Sequence, residues 1–333
     1  MIKRIFLAIT LLCLVFSFSA CRRRQTARAV AADPNAEFRF TEPVTIIVPF
    51  TAGGPTDRIV RVIQPYLSKH IGANVVIENI NGAGGAIGTM TFLSRPGDGY
   101  TVLFGAPTNI VYRPLTSGTD YAYGKDLKAV SEICSVPVTL SVKEDSPFKT
   151  PEDLLAYMEQ NPGKFTYANS GSGSITDVAF QELLHATGLK AEGVPFQGTA
   201  NGYSALMGNH VQGLSCNATE AKTKEGLRIL INLGSDIKMP GMENVPSARS
   251  LGYKDVSTDT FFGFYYRDDV PANAVKTLDE AVRETLKDPE CIRKLQEINQ
   301  HASYKDSAQF DQYIRQVIDS TKESLSKMDL LAE

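Results

Sequence analysis

Val44-Thr45-Ile46-Ile47-Val48-Pro49-Phe50-Thr51-Ala52-Gly53-Gly54-Pro55-Thr56-Asp57 runs from an almost unbroken β-branched stretch, through a glycine turn, into a segment whose apolar residues recur at helical spacing as far as His70. Gly72 supplies a stop. The reading is strand, loop, helix. Outward from it the rhythm returns: a strand over 74–78, the turn Asn81-Gly82-Ala83-Gly84-Gly85, a short helix reaching Leu93, then Gly97-Asp98-Gly99 and a strand over 100–104. Strands alternating with helices predict α/β architecture, each sheet mainly parallel and flanked by helices on both faces.

Further along, a strand over 136–142, a helix over 151–160, a strand over 165–168 and a helix over 176–187 repeat the pattern. Short strands at 191–195, 212–215 and 227–233 follow, and helices near 272–287 and 307–325 close the chain. The expected organisation is one lobe from 42–148 with 253–333, and a second lobe, 149–252, inserted in it. A chain that crosses twice between lobes makes a hinge.

The chain of 333 residues is long enough for about two domains, and 43% hydrophobic with 21% charged residues describes a globular body. Residues 1–20 differ: Lys3 and Arg4 precede an apolar run from Ile5 to Phe16, followed by Ser17-Phe18-Ser19-Ala20-Cys21. That is an export signal, its apolar core shorter than the roughly 20 residues a spanning helix needs. Ala20-Cys21 resembles a bacterial lipoprotein cleavage site, although Phe18 stands where an aliphatic residue is usual. The expectation is a lipidated Cys21 on the outer face of the membrane or in the periplasm, with 21–41 as anchor and tether. Ordinary cleavage nearby, leaving Cys21 incidental, is the alternative.

Loss of Lys3 and Arg4 with the signal takes the formal charge from −3 to −5, so the body offers no field for nucleic acid. Arg22, Arg23, Arg24 and Arg28 suit anionic headgroups beside the anchor. Cys134, Cys216 and Cys291 are far apart and fit no zinc or redox spacing, so buried thiols are expected, with one long-range disulfide as the alternative.

Two loops carry candidate chemistry. In 49–57 the glycines let backbone amides approach an anion at a helix start. A tight turn capped by Thr56 or Asp57 explains the same residues, and the two readings coexist. Asp57 would repel a carboxylate and is assigned to bracing the loop. Asn169-Ser170-Gly171-Ser172-Gly173-Ser174 repeats the design before the helix at Thr176. No Gly-Lys-Ser/Thr loop, dinucleotide fingerprint, nucleophile elbow or metal spacing occurs, so no cofactor, metal or catalytic residue is expected.

Residues 46–57 closely resemble the opening motif of the tripartite tricarboxylate transporter substrate-binding receptors of the TctC and Bug type. Glu78-Asn79-Ile80-Asn81-Gly82-Ala83-Gly84-Gly85-Ala86-Ile87-Gly88, Asp98-Gly99-Tyr100-Thr101, Asn161-Pro162-Gly163-Lys164, Ser170-Gly171-Ser172-Gly173-Ser174 and Val194-Pro195-Phe196-Gln197-Gly198 match in order. The resemblance implies a two-lobed periplasmic-binding-protein fold of type II, not an enzyme. It would be a monomer that closes on a small organic acid or amino acid and hands it to integral membrane transporter subunits.

By position, the resemblance implies that Ala52, Gly53, Gly54 and Thr56 serve one carboxylate and that Ser170, Gly173 and Ser174 serve another part of the ligand. Asn109, Tyr112 and Asn217 would line the cleft. Asp177 and Phe196 stand where relatives carry His and Tyr, which shifts the expected ligand from a citrate-like acid toward an amine-bearing, smaller or partly apolar one. A sensor signalling to a membrane kinase through the same cleft is the second reading. An exported hydrolase is the third.

Overall fold

The computed structural model describes residues 38–236, 239–327 and 329–332; the export signal and Cys21 fall outside the described residues. Ten strands form one mixed sheet: β1 (Val44–Val48), β2 (Val75–Asn79), β3 (Thr101–Gly105), β4 (Leu127–Lys143), β5 (Thr166–Asn169), β6 (Glu192–Pro195), β7 (Gly213–Asn217), β8 (Leu227–Asn232), β9 (Asp259–Arg267) and β10 (Ala302–Lys305). The helices are α1 (Pro55–Ile71), α2 (Ala86–Leu93), α3 (Arg113–Ser117), α4 (Pro151–Gln160), α5 (Ile175–Thr187), α6 (Thr199–Met207), α7 (Ala218–Lys222), α8 (Ala272–Thr285), α9 (Pro289–Glu297) and α10 (Ser307–Lys327).

β1 pairs in parallel with β2 and β3, and β5 pairs in parallel with β6 and β7. Around β4 and β9 every pairing is antiparallel. β4 belongs to both halves of the sheet. Its residues from Leu127 to Pro137 run beside β9, and from Val138 onward it lies between β7 and β8. The sequence shows only its second half as strand, because Glu132 interrupts the apolar pattern. In the fold Glu132 is fully buried, and Lys305 of β10 reaches it at 2.6 Å.

The apolar run of β1 follows from burial on both sides. Val44, Ile46 and Val48 pack with α1, α8 and α9, whereas Ile47 packs with Phe92 of α2 and Phe310 of α10. In α1, Ile59, Val60, Ile63, Leu67 and Ile71 recur on one face and are removed from water. Each such side chain contributes about 1.5 to 3 kcal/mol. The other half has its own two cores: Val138, Leu140 and Phe165 with α4 and α5, and Leu214 and Cys216 with α6 and α7. Cys134, Cys216 and Cys291 are free buried thiols. No described helix is long and apolar enough to cross a membrane.

Because β1, β2 and β3 run parallel, the loops after Val48, Asn79 and Gly105 leave the same edge of the sheet. The loops after β5, β6 and β7 likewise share one edge. Loops at the carboxyl ends of parallel strands, entering helix N-termini, are where this architecture holds ligands.

Candidate ligand-binding site

The first loop joins β1 to α1. Gly54 is the N-cap, and Gly53, at φ 82, turns its amide back over the helix start. That amide donates to Asp57 Oδ2 at 2.7 Å. A positive φ of this kind favours glycine over residues with a Cβ. Asp57 is 1% exposed and also receives Arg61 Nε at 2.9 Å and Asn79 Nδ2 at 2.9 Å. Burial works to raise the Asp57 carboxyl, but the bonds from Arg61, the Gly53 amide and Asn79 outweigh it and hold it below the ordinary aspartate range. Asp57 therefore faces its own loop. Ala52 and Gly53 lie exposed above it, Gly54 is half-buried and Thr56 is buried.

The second loop joins β5 to α5 and repeats this construction. Ser174 is the N-cap, and Gly173, at φ 66, donates its amide to Asp177 Oδ2 at 3.0 Å. Asp177 is 4% exposed and receives Tyr167 Oη at 2.7 Å and Asn169 Nδ2 at 2.9 Å. Burial pushes its carboxyl above the ordinary range despite the bonds from Tyr167 and Gly173. Asp177 holds in this loop the place that Asp57 holds in the other, turned into the fold. Above it the hydroxyls of Ser170, Ser174 and Thr176 form a triangle with sides of 2.8 to 3.1 Å, and Ser170 N donates to Thr176 Oγ1 at 2.9 Å.

Thr176 was not singled out from the sequence, although a signal was there. Gly53-Gly54-Pro55-Thr56-Asp57 and Gly173-Ser174-Ile175-Thr176-Asp177 share the pattern Gly-x-x-Thr-Asp. Each strand-to-helix turn places the carboxylate four residues after the glycine, within reach of its amide.

The remaining predicted residues flank the two loops. Asn109 is fully buried, its Oδ1 accepting the Ala106 amide and its Nδ2 donating to Thr89 Oγ1 at 3.0 Å, so its side chain shapes the turn after β3. A Cβ on Gly85 would meet Asn109 Cβ at 2.7 Å and the Phe50 ring at 3.2 Å, which ties that turn to the first loop. Tyr112 is buried in one cluster with Ile314 and Leu325 of α10. It packs in one cluster with Val178 of α5, so the start of the second-loop helix rests on this segment. Phe196 is half-buried, and its amide donates to the Asn169 carbonyl at 3.0 Å. Asn217 accepts Thr260 Oγ1 at 2.7 Å, tying the end of β7 to β9.

The structure thus builds two matching turns in opposite halves of one sheet, each drawing a glycine amide onto an aspartate. Each has exposed or half-exposed glycine and hydroxyl groups above an inward-facing aspartate.

The family model described as the tripartite tricarboxylate transporter family receptor matches residues 59–330. The UPF0065 protein in the gbd 5' region of Cupriavidus necator is 28% identical over 304 residues, covering 91% of this chain and 92% of that protein. A TctC solute-binding protein from Polaromonas, solved without ligand, superposes with a TM-score of 0.77 at 25% identity, covering 86% of this chain and 99% of its own. An R. palustris protein solved with adipate superposes at 0.71 with 26% identity, covering 87% and 98%. The chain belongs to the tripartite tricarboxylate transporter receptor family, whose members are solute-binding receptors.

Proposed function

We propose that this receptor takes a small carboxylate-bearing solute between loops 51–57 and 169–176, outside the cytoplasm, and passes it to a membrane transporter without chemical change. The observation that carries the reading is the matched pair of loops, one from each half of the sheet. The first-turn amides of α1 have no acceptor within the helix and the Ser170 and Ser174 hydroxyls at the start of α5 are half-exposed, while the nearest carboxylates are turned away, which is the polarity an anion needs. The adipate bound by the R. palustris relative supports a carboxylate as the ligand.

In this reading Ala52 and Thr56 receive one carboxylate and Ser170 and Ser174 a second polar group, while Gly53, Gly54 and Gly173, whose amides are spent inside their turns, shape the two loops. Tyr112, Phe196 and Asn217 border the ligand. Asn109 and Asp177 act one layer back by fixing the turns. Asp177 then offers no charge for an amine, and an acid without an amino group becomes the preferred solute. Binding energy draws the halves together about the crossing of β4 at Val138, and the closed form is what the transporter meets. Cys21 is read as the lipidated anchor that keeps the receptor at the membrane.

The test is a thermal-shift panel on the chain lacking residues 1–21, with mono-, di- and tricarboxylates and acidic and neutral amino acids. An acid at a hundredfold excess over its dissociation constant adds about 2.7 kcal/mol of stability and raises the midpoint visibly. A panel in which only neutral solutes raise the midpoint contradicts the carboxylate reading.

A further inference from the structure

At least six of the eleven described arginines pair with carboxylates, among them Arg61 with Asp57, Arg95 with Glu78, Arg267 with Asp269 and Arg315 with Asp311. Arg113, the first residue of α3, differs. Among the described residues its guanidinium makes one hydrogen bond, from Nη1 to Ser117 Oγ at 2.9 Å, and no ion pair. Ser117 steadies one corner of the group. The Nε and Nη2 donors, which lie side by side along the other edge, carry no protein partner among the described residues.

The position of this edge matters. Arg113 lies across Gly84, where a side chain would run into Nε and come 3.2 Å from Cζ. The adjacent Gly85 abuts the Phe50 ring, at the mouth of the first loop. Three residues after Arg113, Thr116 Cγ2 is 3.6 Å from the point a Cβ on Gly173 would occupy, in the second loop. A half-buried guanidinium therefore lies against the turn that touches Phe50, on a helix whose Thr116 touches the second loop, and its unpartnered edge is a planar pair of donors matching the two oxygens of a carboxylate.

We propose that Arg113 is a specificity-determining residue, pairing its Nε and Nη2 with the second carboxylate of a linear dicarboxylic acid whose first carboxylate rests at the start of α1, after the glycine loop. This assignment rests on the receptor reading above and narrows its ligand class. The start of α1 gives a site that any carboxylate satisfies. Arg113 adds the ion pair that a monoacid of equal length lacks, so it sets the preference for diacids.

The experiment is calorimetric titration of the chain lacking residues 1–21, whose body from Phe38 onward is one compact unit. The probes are succinate, glutarate, adipate and pimelate, each beside the monoacid of equal carbon number. Wild-type protein is expected to favour the best diacid over its monoacid by about 10- to 100-fold, the range of one charge-assisted contact. Arg113→Gln lowers diacid affinity by that factor and leaves the monoacid within about threefold. Arg113→Lys, which keeps the charge and loses the fork, falls between.

Equal losses for diacid and monoacid in Arg113→Gln, or an unchanged diacid affinity, overturn the assignment to Arg113 while the receptor reading stands. Wild-type protein that binds none of the acids overturns both. A melting midpoint for Arg113→Gln within a few degrees of wild type separates lost binding from lost folding.

Discussion

The Asp177 carboxylate accepts the Gly173 amide at 3.0 Å, and 120 positions earlier Asp57 accepts the Gly53 amide at 2.7 Å in the same geometry. The two braces differ in what neutralises them. Asp57 has the Arg61 guanidinium, whereas Asp177 has the neutral donors Tyr167 and Asn169. One carboxyl is held below its ordinary range and the other is pushed above it, although each does the same work for its loop.

Replacing these aspartates by asparagine is expected to separate the two cases. Asp57→Asn strips the partner from Arg61 and costs about 2 kcal/mol, whereas Asp177→Asn keeps an acceptor for Gly173 and costs less than about 1 kcal/mol. Urea unfolding at neutral pH checks the order. Equal losses would mean that Arg61 adds nothing to the first brace.

Glu182 of α5 accepts Thr258 Oγ1 at 2.6 Å and Ser324 Oγ of α10 at 3.4 Å, and burial pushes its carboxyl up to about 7. The folded state holds this proton more tightly than the unfolded chain does. The resulting stability is therefore full below the ordinary value of 4.5 and is lost as pH rises through about 7. Glu182→Gln, which cannot ionise, is expected to flatten the stability profile and to exceed wild type at about pH 8 by about 1 to 3 kcal/mol. Urea midpoints across the range decide it, and parallel profiles for the two proteins would refute the assignment.

The pair of Glu132 with Lys305 fastens the returning segment at β10 to the middle of β4. Glu132 is wholly buried while Lys305 stays partly in water, so Lys305→Met strands a buried carboxylate and is expected to cost about 3 kcal/mol. Glu132→Met combined with Lys305→Met restores most of that loss, because no charge is then left unpaired. A double variant no more stable than Lys305→Met alone would show that the cost lies in packing.

Much of this was legible before the structure. The β-branched run 44–48, the helical spacing after Thr56 and the Gly72 stop are local signals, and each lies where the fold uses it. β9 and the first half of β4 were not read as strands. Their pairing joins residues more than 120 positions apart, and Glu132 is neutralised by a lysine 173 positions away. In the site the glycine and hydroxyl loops are legible because turn chemistry is local. The direction of the Asp177 carboxylate is set by Tyr167 and Asn169 across the strand end, whereas the resemblance by position puts its charge at the ligand and favours an amine-bearing or smaller acid. Arg113 has no motif around it; only its seat across Gly84 marks it.

The claim that both loops hold one carboxylate ligand is tested most directly by titrating the best acid of the panel into two variants. Gly54→Val crowds the first loop, where an added Cβ would lie 3.1 Å from the Thr51 carbonyl oxygen. Ser170→Ala with Ser174→Ala strips the second loop of two hydroxyls. Each variant alone is expected to lower affinity by about tenfold or more while its melting midpoint falls by no more than a few degrees, the loss of the Ser174 cap included. Wild-type affinity in either variant would contradict the account, because that loop would then not touch the ligand.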